Sequence, residues 1–349
     1  MKKLVSLTVI GLLAAGLTVP ARAEIGWSQT NAPITAPGEV TYVDLQLGDD
    51  SSAGYRMGGE WEPRSSKVMV LHPTGAATDI SDTLFSSGSL GGSSAAGGYI
   101  ASFNASAVGA YVISAEEERI TERGGQAVRT LRSAKSFTAV GDIPTWQRVK
   151  SLNGFNRPVS ADRAELIPFF NPAAVTPNEA VEVQLLVKDK PLADTGVKLI
   201  RRSTSDEQLL TTDGQGVVRF MTGPADYYLL YAQYETGEKE DGRYEATRYD
   251  AAMTFTVQRG IQWLPAKHPE ALPVTCVDGK DVGASGLQRS ADGTLLVDSA
   301  FIREAVNSGF KEKGLVGLRA AVEGSGGRVE YLAPVGDMNA AVYIYTPNK

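Results

Sequence analysis

Residues 180–187, AVEVQLLV, and residues 211–220, TTDGQGVVRF, contain the pattern that decides the fold. In the first stretch every second side chain from position 181 onward is apolar, which is the period of a half-buried β-strand. The second stretch places Asp213-Gly214 between two strand-like runs, and this dipeptide is typical of a hairpin turn with a positive φ at the glycine. The two stretches therefore predict antiparallel β-structure.

Similar short runs surround these two stretches. About seven of them lie within residues 161–258, which is the size and spacing of an immunoglobulin-like sandwich. One run, residues 165–168, is predicted to be an edge strand because it ends in a proline. The only cysteine of the chain is Cys276, so no disulfide joins the two sheets of this predicted domain. We expect Cys276 itself to be a buried, unreactive thiol in a strand.

The preceding part of the chain has the same character. Residues 40–47, 67–71 and 109–114 are strand-like and are separated by glycine- and proline-rich segments. A stretch rich in serine, glycine and alanine, residues 86–98, is predicted to be a surface loop, and residues 143–149 to form a short helical turn. Residues 24–160 are therefore predicted to form a first β-sandwich.

The last part of the chain, residues 259–349, mixes strands and helix. Asp298 is a suitable N-cap for a helix over residues 299–307, which has one apolar face. Residues 316–322, 329–332 and 341–345 are predicted strands. The predicted fold class is mainly β: two immunoglobulin-like β-sandwich domains, at 24–160 and 161–258, followed by a small α+β module at 259–349.

The first twenty-three residues predict export. Lys2 and Lys3 precede an apolar run over residues 4–17, and Ala21-Arg22-Ala23 is an A-x-A cleavage site. That order is typical of a secretory signal peptide, and the apolar run is shorter than the roughly 20 residues of a membrane span. We expect a mature chain that starts at Glu24, lies in the periplasm or outside the cell, and has no transmembrane segment.

Composition narrows the set of partners. Without its predicted signal peptide the chain has 31 basic and 40 acidic residues, a net charge of −9. This balance argues against nucleic acid and against anionic lipid surfaces as partners. It is compatible with cations, although a mildly acidic surface is also ordinary for a secreted protein.

Catalytic motifs are absent from the sequence. It contains no G-x-S-x-G elbow, no H-E-x-x-H and no Walker loop, and neither histidine is paired in sequence with a serine or cysteine nucleophile. Two carboxylates that the fold brings together in a deep cleft would instead indicate a hydrolytic enzyme. The protein is therefore predicted not to be an enzyme, and the sequence identifies no definite cofactor.

Several segments resemble a known family. The family is the NikM-like periplasmic subunit of nickel or cobalt uptake systems, an exported β-sandwich family, much of which is a domain of unknown function. The resemblance spans residues 24–258 and implies a metal ligand and a membrane transporter as partner. Residues 24–27 are EIGW, without the N-terminal histidine usual in that family, so no ligand is carried over. The segments that carry the resemblance are APGE (36–39), YVI (111–113), FFNP (169–172), VTPNE (175–179), KPLADTGV (190–197), TDGQGVVRF (212–220) and TFTV (254–257).

The last module has a resemblance of its own. VDGK (277–280), LLV (295–297) and FIREA (301–305) are similar to the small N-terminal module of copper amine oxidases, which also recurs in envelope proteins. The resemblance covers about 50 residues. It implies a non-catalytic stalk or binding module without copper.

The predicted function is that of an exported, non-enzymatic binding protein, a periplasmic component of nickel or cobalt uptake. The alternative is a structural or adhesive cell-envelope protein whose sandwiches are spacers, with another envelope protein as partner. If metal is bound, the candidate ligands are His72, His268 and the N-terminal amine of Glu24, because imidazole and amine nitrogens suit nickel. The acids that would assist them are Asp49, Asp50 and Asp79.

Overall fold

The computed structural model describes residues 24–49, 61, 65–86, 98–259, 264–283 and 286–347. The predicted signal peptide and most of the predicted loop 86–98 lie outside the described residues. The described chain is mainly β with three short α-helices and a 3₁₀ turn (Ser81–Thr83), which confirms the predicted fold class. The longest of these helices has seven residues, so none of the described helices could cross a bilayer.

The first predicted domain consists of strands and one helical turn. In chain order these are β1 (Glu24–Thr30), β2 (Ile34–Thr35), β3 (Glu39–Asp49), β4 (Ser66–Leu71), β5 (Ala77–Asp79), β6 (Phe85–Ser86), β7 (Tyr99–Ala105), β8 (Gly109–Arg123), β9 (Gln126–Val140) and α1 (Trp146–Val149). The second predicted domain consists of β10 (Ala164–Pro168), β11 (Ala180–Val187), β12 (Lys190–Pro191), β13 (Gly196–Arg201), β14 (Glu207–Thr211), β15 (Val217–Met221), β16 (Asp226–Thr236) and β17 (Ala246–Val257).

A nine-stranded sheet, here called the central sheet, joins these two groups of strands. Its order is β14-β13-β16-β17-β9-β8-β4-β5, with β2 beside β9. At its middle β17 and β9 pair in parallel, from Ala246 opposite Val128 to Met253 opposite Lys135. One sheet therefore contains strands from both predicted sandwich domains. The boundaries drawn at 160/161 and 258/259 stay predictions.

Both faces of the central sheet are covered. The N-terminal cover sheet, β1-β3-β7-β6, lies on one face, and the middle cover sheet, β10-β11 with β12 and β15, lies on the other. Alternate residues of β8 show this: Tyr111 packs in one core with Trp27, and Val112 packs in the other with Leu166. The two sandwiches thus share a sheet and form three layers, whereas the sequence analysis placed them in series. The reason is the long-range β17–β9 pairing, which no local pattern encodes.

The hairpin predicted at Asp213-Gly214 is wrong. Strand β14 pairs with β13 in the central sheet, whereas β15 pairs with β11 in the middle cover sheet. Residues 212–216 therefore carry the chain from one layer to the other. The Asp213 carboxylate accepts hydrogen bonds from the backbone N–H groups of Gln215 and Val217, at 2.9 and 3.0 Å. The positive φ, +72°, is at Gly216 rather than at Gly214.

This crossing predicts a sharp difference between its two glycines. A Cβ at Gly216 would lie 2.8 Å from the Leu185 carbonyl oxygen, whereas one at Gly214 meets nothing within 4 Å. Gly216→Ala is expected to lower the free energy of unfolding by about 2 kcal/mol or more, because it combines left-handed strain with a backbone clash. Urea unfolding measures the loss, with Gly214→Ala as the matched control. Equal stabilities of the two variants would contradict the assignment.

The C-terminal module has two small sheets and two helices. Its elements are β18 (Val274–Val277), β19 (Lys280–Gly283), β20 (Leu287–Arg289), β21 (Leu295–Asp298), α2 (Ser299–Ala305), β22 (Leu315–Gly317), α3 (Leu318–Gly324), β23 (Arg328–Leu332) and β24 (Ala341–Tyr345). The sheets have the orders β19-β18-β24-β23 and β20-β21-β22. As predicted, Asp298 caps α2: its carboxylate accepts from the Ala300 N–H at 2.7 Å.

The strand predicted over residues 316–322 is wrong in its greater part. The strand ends at Gly317, and α3 follows directly. Leu318, Ala321 and Val322 are buried at the spacing i, i+3, i+4, which is the apolar stripe of a helix rather than the alternation of a strand. This correction matters because Arg319, Ala320 and Glu323 of α3 line a cleft.

Candidate functional site

His72, a predicted metal ligand, follows β4 and is half-buried. Its Nε2 lies 3.0 Å from the Thr78 hydroxyl, and its ring packs edge-on against Tyr111 with the ring centroids 5.2 Å apart. Burial lowers the pKa of His72, and the guanidinium of Arg157 lowers it further. The imidazole is therefore neutral at pH 7 and is held by its neighbours, so it supports the end of a strand.

His268, the second predicted histidine ligand, and Asp79, one of the assisting acids, have neighbours of their own. The His268 side chain is 63% exposed, and its Nδ1 lies 3.8 Å from a Glu270 carboxylate oxygen. Asp79 accepts hydrogen bonds from the Ser81 backbone and hydroxyl, which lower the pKa of this carboxyl.

The side chains of the remaining candidates are not described by the structure. Glu24 begins β1 and Asp49 ends β3, where the structure does not describe their side chains, and Asp50 lies outside the described residues. Within the described ranges no group of three or more His, Cys, Asp or Glu side chains is placed to hold a metal ion. The metal ligands His72, His268 and Glu24 stay predictions.

Cys276 lies in β18, in the strand where it was expected. It is half-buried rather than fully buried. Burial raises the pKa of its thiol, and the carboxylates of Asp281 and Asp142 raise it further. Since the thiolate is the nucleophilic form, this environment disfavours reaction at Cys276.

The C-terminal module contains a cleft with a volume of about 650 Å³, here called the C-terminal cleft. Its floor is apolar: Leu318, Val329 and Val342 are buried core residues that line it, and Leu295 and Tyr331 add further apolar surface. This volume and this lining fall within the usual range for small-molecule sites in proteins. The cleft is therefore a candidate ligand site.

Charged side chains lie only among the exposed lining residues of this cleft. Arg289 comes from β20, and Arg319 and Glu323 come from α3, where Arg319 Nη1 lies 2.8 Å from Glu323 Oε1. Gly317 and Ala320, at the start of α3, leave the cleft open because they have little or no side chain. The arrangement offers an apolar surface with a small number of orienting polar groups.

This site was not recognisable from the sequence for an identifiable reason. In an extended strand Arg319 and Glu323 would lie about 13 Å apart, whereas a helix brings residues four apart next to each other. The signal was present in the spacing of Leu318, Ala321 and Val322. The remaining lining residues come from five other elements and the turn between β20 and β21, and no short-range pattern brings those elements together.

A buried carboxylate lies where the C-terminal module meets the first β-sandwich. The Glu330 side chain, on β23, is 1% exposed, and Arg328 Nη2 lies 4.0 Å from its Oε1. Burial raises the pKa of Glu330 to about 7, against the opposing effects of Arg328 and Arg157. Arg157 in turn donates hydrogen bonds to the carbonyl oxygens of His72 and Ala110 at 2.6 Å.

Glu330 predicts a pH dependence of stability. Folded Glu330 holds its proton up to about pH 7, while the unfolded chain releases it near 4.5, so the folded state binds more protons in between. The free energy of unfolding should therefore fall as the pH rises through this window, by about 3 kcal/mol. Urea unfolding between pH 4 and 8 should show this fall as a difference between the wild type and Glu330→Gln. Glu122→Gln, at an exposed site, is the control; an unchanged pH dependence in Glu330→Gln would contradict the assignment.

Comparison with known proteins places the chain in a family. A family model described as a domain of unknown function, DUF4198, matches residues 21–236, which is more than half of the chain. The chain belongs to the DUF4198 family. The matched DUF4198 residues end with β16, so β17 and the whole C-terminal module, including its cleft, lie beyond them. No curated protein matches the chain.

Solved structures resemble this DUF4198 chain weakly, both in sequence identity and in TM-score. One is a DUF4785 family protein from Legionella pneumophila, with 12% identity over 64% of this chain and 54% of that one, and a TM-score of 0.22. A two-domain fibronectin type-III segment of chicken tenascin has 12% identity over 64% and 96%, with a TM-score of 0.19. A bacterial ice-binding adhesin has 9% identity over 93% and 96%, with a TM-score of 0.20. The chain spans about half the length of the Legionella protein.

Family membership confirms the coarse part of the resemblance, that of a domain of unknown function with a β-sandwich fold. The narrower likeness to nickel or cobalt uptake subunits stays a prediction. So does the likeness of the last module to copper amine oxidases.

Proposed function

We propose that this DUF4198 protein is an exported, non-enzymatic binding protein whose ligand lies in the C-terminal cleft. The observation that carries the proposal is the apolar floor of that cleft, made of Leu318, Val329 and Val342. Leu295 and Tyr331, which line the same cleft above this floor, are only partly buried, and a ligand that covers their apolar surface removes it from water, which is favourable. The three-layer β body supports the module that holds the cleft.

The attachment of the module supports this division of roles. Arg148 of α1 donates hydrogen bonds to the carbonyl oxygens of Ala333 and Asn339, both at 2.6 Å. The Tyr345 hydroxyl donates to the Val108 carbonyl oxygen at 2.5 Å. These contacts attach the C-terminal module, which contains the cleft, to the first sandwich.

Export rests on the sequence of residues 1–23 and is tested separately. Fractionation of cells that express the full chain, followed by N-terminal sequencing, should find a protein outside the cytoplasm that begins at Glu24. An uncleaved chain in the cytoplasm would overturn this part of the proposal.

Ligand binding is tested by filling the cleft. Ala320 is exposed on α3 and lines the cleft, so Ala320→Phe should block it without disturbing the core. We expect the mature chain to enhance the fluorescence of anilinonaphthalene sulfonate, a dye with an apolar body, and Ala320→Phe to weaken dye binding by about tenfold, or 1.4 kcal/mol. Ala300→Phe, the same change at an exposed site on α2, is the matched control. A wild type that binds no dye, or equal binding by all three chains, would favour the spacer role instead.

Nickel or cobalt uptake beside a membrane transporter is a narrower proposal on the same chain. Its support is the resemblance over residues 24–258, and its candidate ligands are His72, His268 and the amine of Glu24. Calorimetric titration of the chain that begins at Glu24 with nickel and cobalt tests it. Tight binding that is lost in the His72→Ala/His268→Ala double variant, or on extension of the N-terminus, supports the proposal; no heat with either ion overturns it.

A further inference from the structure

The charges around the C-terminal cleft differ in sign from the chain as a whole. The full chain has a net charge of −6. Of the residues that line the cleft, only Arg289, Arg319 and Glu323 are charged, which gives the lining a net charge of +1. An otherwise acidic protein thus presents a locally positive rim around an apolar floor.

Both arginines have donors available for a ligand. Among the described residues no carboxylate lies within ion-pair distance of Arg289, which is exposed on the edge strand β20. Arg319 uses Nη1 for Glu323, and both of these side chains are about half exposed, at 43% and 47%. A guanidinium has five N–H donors in a planar fork that fits a carboxylate. The two arginines belong to different elements, β20 and α3, which both line the cleft.

The acid nearest to this rim in sequence is already engaged. Asp292, in the turn between β20 and β21, accepts hydrogen bonds from the Ser290 hydroxyl and from the Thr294 N–H. The Ser290 bond and the Thr294 contacts hold the pKa of this carboxyl below its usual range. Asp292 therefore stabilises its own turn and does not line the cleft.

From this charge pattern we propose that the cleft takes a monoanionic amphiphile, an alkyl carboxylate, with its chain on the apolar floor and its carboxylate held by Arg289 and Arg319. One negative charge on the ligand matches the net charge of +1 on the lining. The alkyl chain covers the partly buried side chains of Leu295 and Tyr331 above that floor. This inference rests on the proposed function, because it names the ligand class of the same site.

The test separates the two parts of the ligand. Octanoate has both an alkyl chain and a carboxylate, 1-octanol has only the chain, and acetate has only the carboxylate. Binding is measured by calorimetry and by competition with the dye on the mature wild-type chain. We expect octanoate to bind about tenfold more tightly than octanol, the effect of one charge-assisted hydrogen bond, and acetate not to compete.

Variants assign that difference to the arginines. Arg289→Gln and Arg319→Gln should each weaken octanoate about threefold, since the two arginines share the tenfold gain, and leave octanol unchanged, because the apolar floor is untouched. Arg243→Gln, at an exposed arginine outside the cleft, is the matched control and should bind like the wild type.

The outcomes distinguish this inference from the proposed function. Equal binding of octanoate and octanol, both blocked by Ala320→Phe, overturns the carboxylate site and leaves the binding cleft standing. Acetate that competes as well as octanoate overturns the apolar part of the inference. If none of the three probes and no dye binds, the proposed function fails as well.

Discussion

Replacing Glu165 by leucine is expected to lower the free energy of unfolding by about 3–5 kcal/mol. Glu165 lies in β10, in the middle cover sheet, and its side chain is 2% exposed. Its Oε2 accepts a hydrogen bond from Lys135 Nζ of the central sheet at 2.7 Å. The carboxylate also accepts from the backbone N–H groups of Val159 and Ser160. One carboxyl group therefore joins two layers and the segment that connects them.

The size of this effect follows from what the substitution leaves behind. Burial lowers the pKa of Lys135, and the Glu165 carboxylate opposes this by favouring the charged form. Without Glu165 the hydrogen bond that the Lys135 ammonium keeps among the described residues is the one to the Arg157 carbonyl oxygen, at 3.3 Å. A buried charge that loses its counter-ion destabilises a protein far more than an intact pair stabilises it.

Urea unfolding with two further variants measures this. In Lys135→Met/Glu165→Leu no unpaired charge remains, so we expect the double variant to recover part of the loss. Glu182→Gln breaks an exposed pair with Arg219, whose atoms are 2.8 Å apart, and should change stability by less than about 1 kcal/mol. A Glu165→Leu variant as stable as the Glu182→Gln control would refute the assignment.

Replacing Arg148 by methionine should cost about 3 kcal/mol and loosen the C-terminal module. Arg148 is buried, and it donates to Ala333 and Asn339 as well as to both carboxylate oxygens of Asp142, at 2.8 and 2.7 Å. Hydrogen bonds to charged groups contribute about 1.5–3 kcal/mol each, and the carbonyl oxygens would lose their partner. The loss falls on the contact between α1 and the C-terminal sheet.

Hydrogen exchange locates this loss. Exchange should accelerate in residues 328–345 of Arg148→Met and stay unchanged in β11, which lies in the middle cover sheet. Arg243→Met removes an exposed arginine that pairs with Glu240 at 2.7 Å, and it should match the wild type in both measurements. Uniform acceleration over all peptides would mean that Arg148 stabilises the whole chain rather than this contact.

Local pattern was sufficient to identify most elements of secondary structure. The alternation in residues 180–187 predicted β11 to the residue, and Asp298 predicted the start of α2. The edge position of β10 was also predicted correctly, from its terminal proline. Each of these features depends on side chains within a few residues of one another, so the sequence displays it directly.

Local sequence pattern gave a wrong prediction where the same apolar residues could be buried in either a strand or a helix. The composition of residues 316–322, rich in apolar residues, is typical of a strand, whereas the spacing of those residues is typical of a helix. From Leu318 onward the structure has the helix. At Asp213-Gly214 the dipeptide did mark a turn, but the turn connects two layers rather than two paired strands. A turn dipeptide specifies a change of chain direction, whereas the strand with which the next strand pairs is determined by long-range contacts.

The sequence by itself determined that this chain is built of short strands with a small mixed module at its end. Only the tertiary structure decided that the two sandwiches share one sheet through β9 and β17, strands more than 100 residues apart. It also decided the buried pair Lys135–Glu165 and the C-terminal cleft, whose lining comes from β20, β21, β22, α3, β23 and β24. The physical reason is the range of the interactions. Periodicity and caps act between near neighbours, whereas strand pairing and ligand sites depend on contacts that only the folded chain brings together.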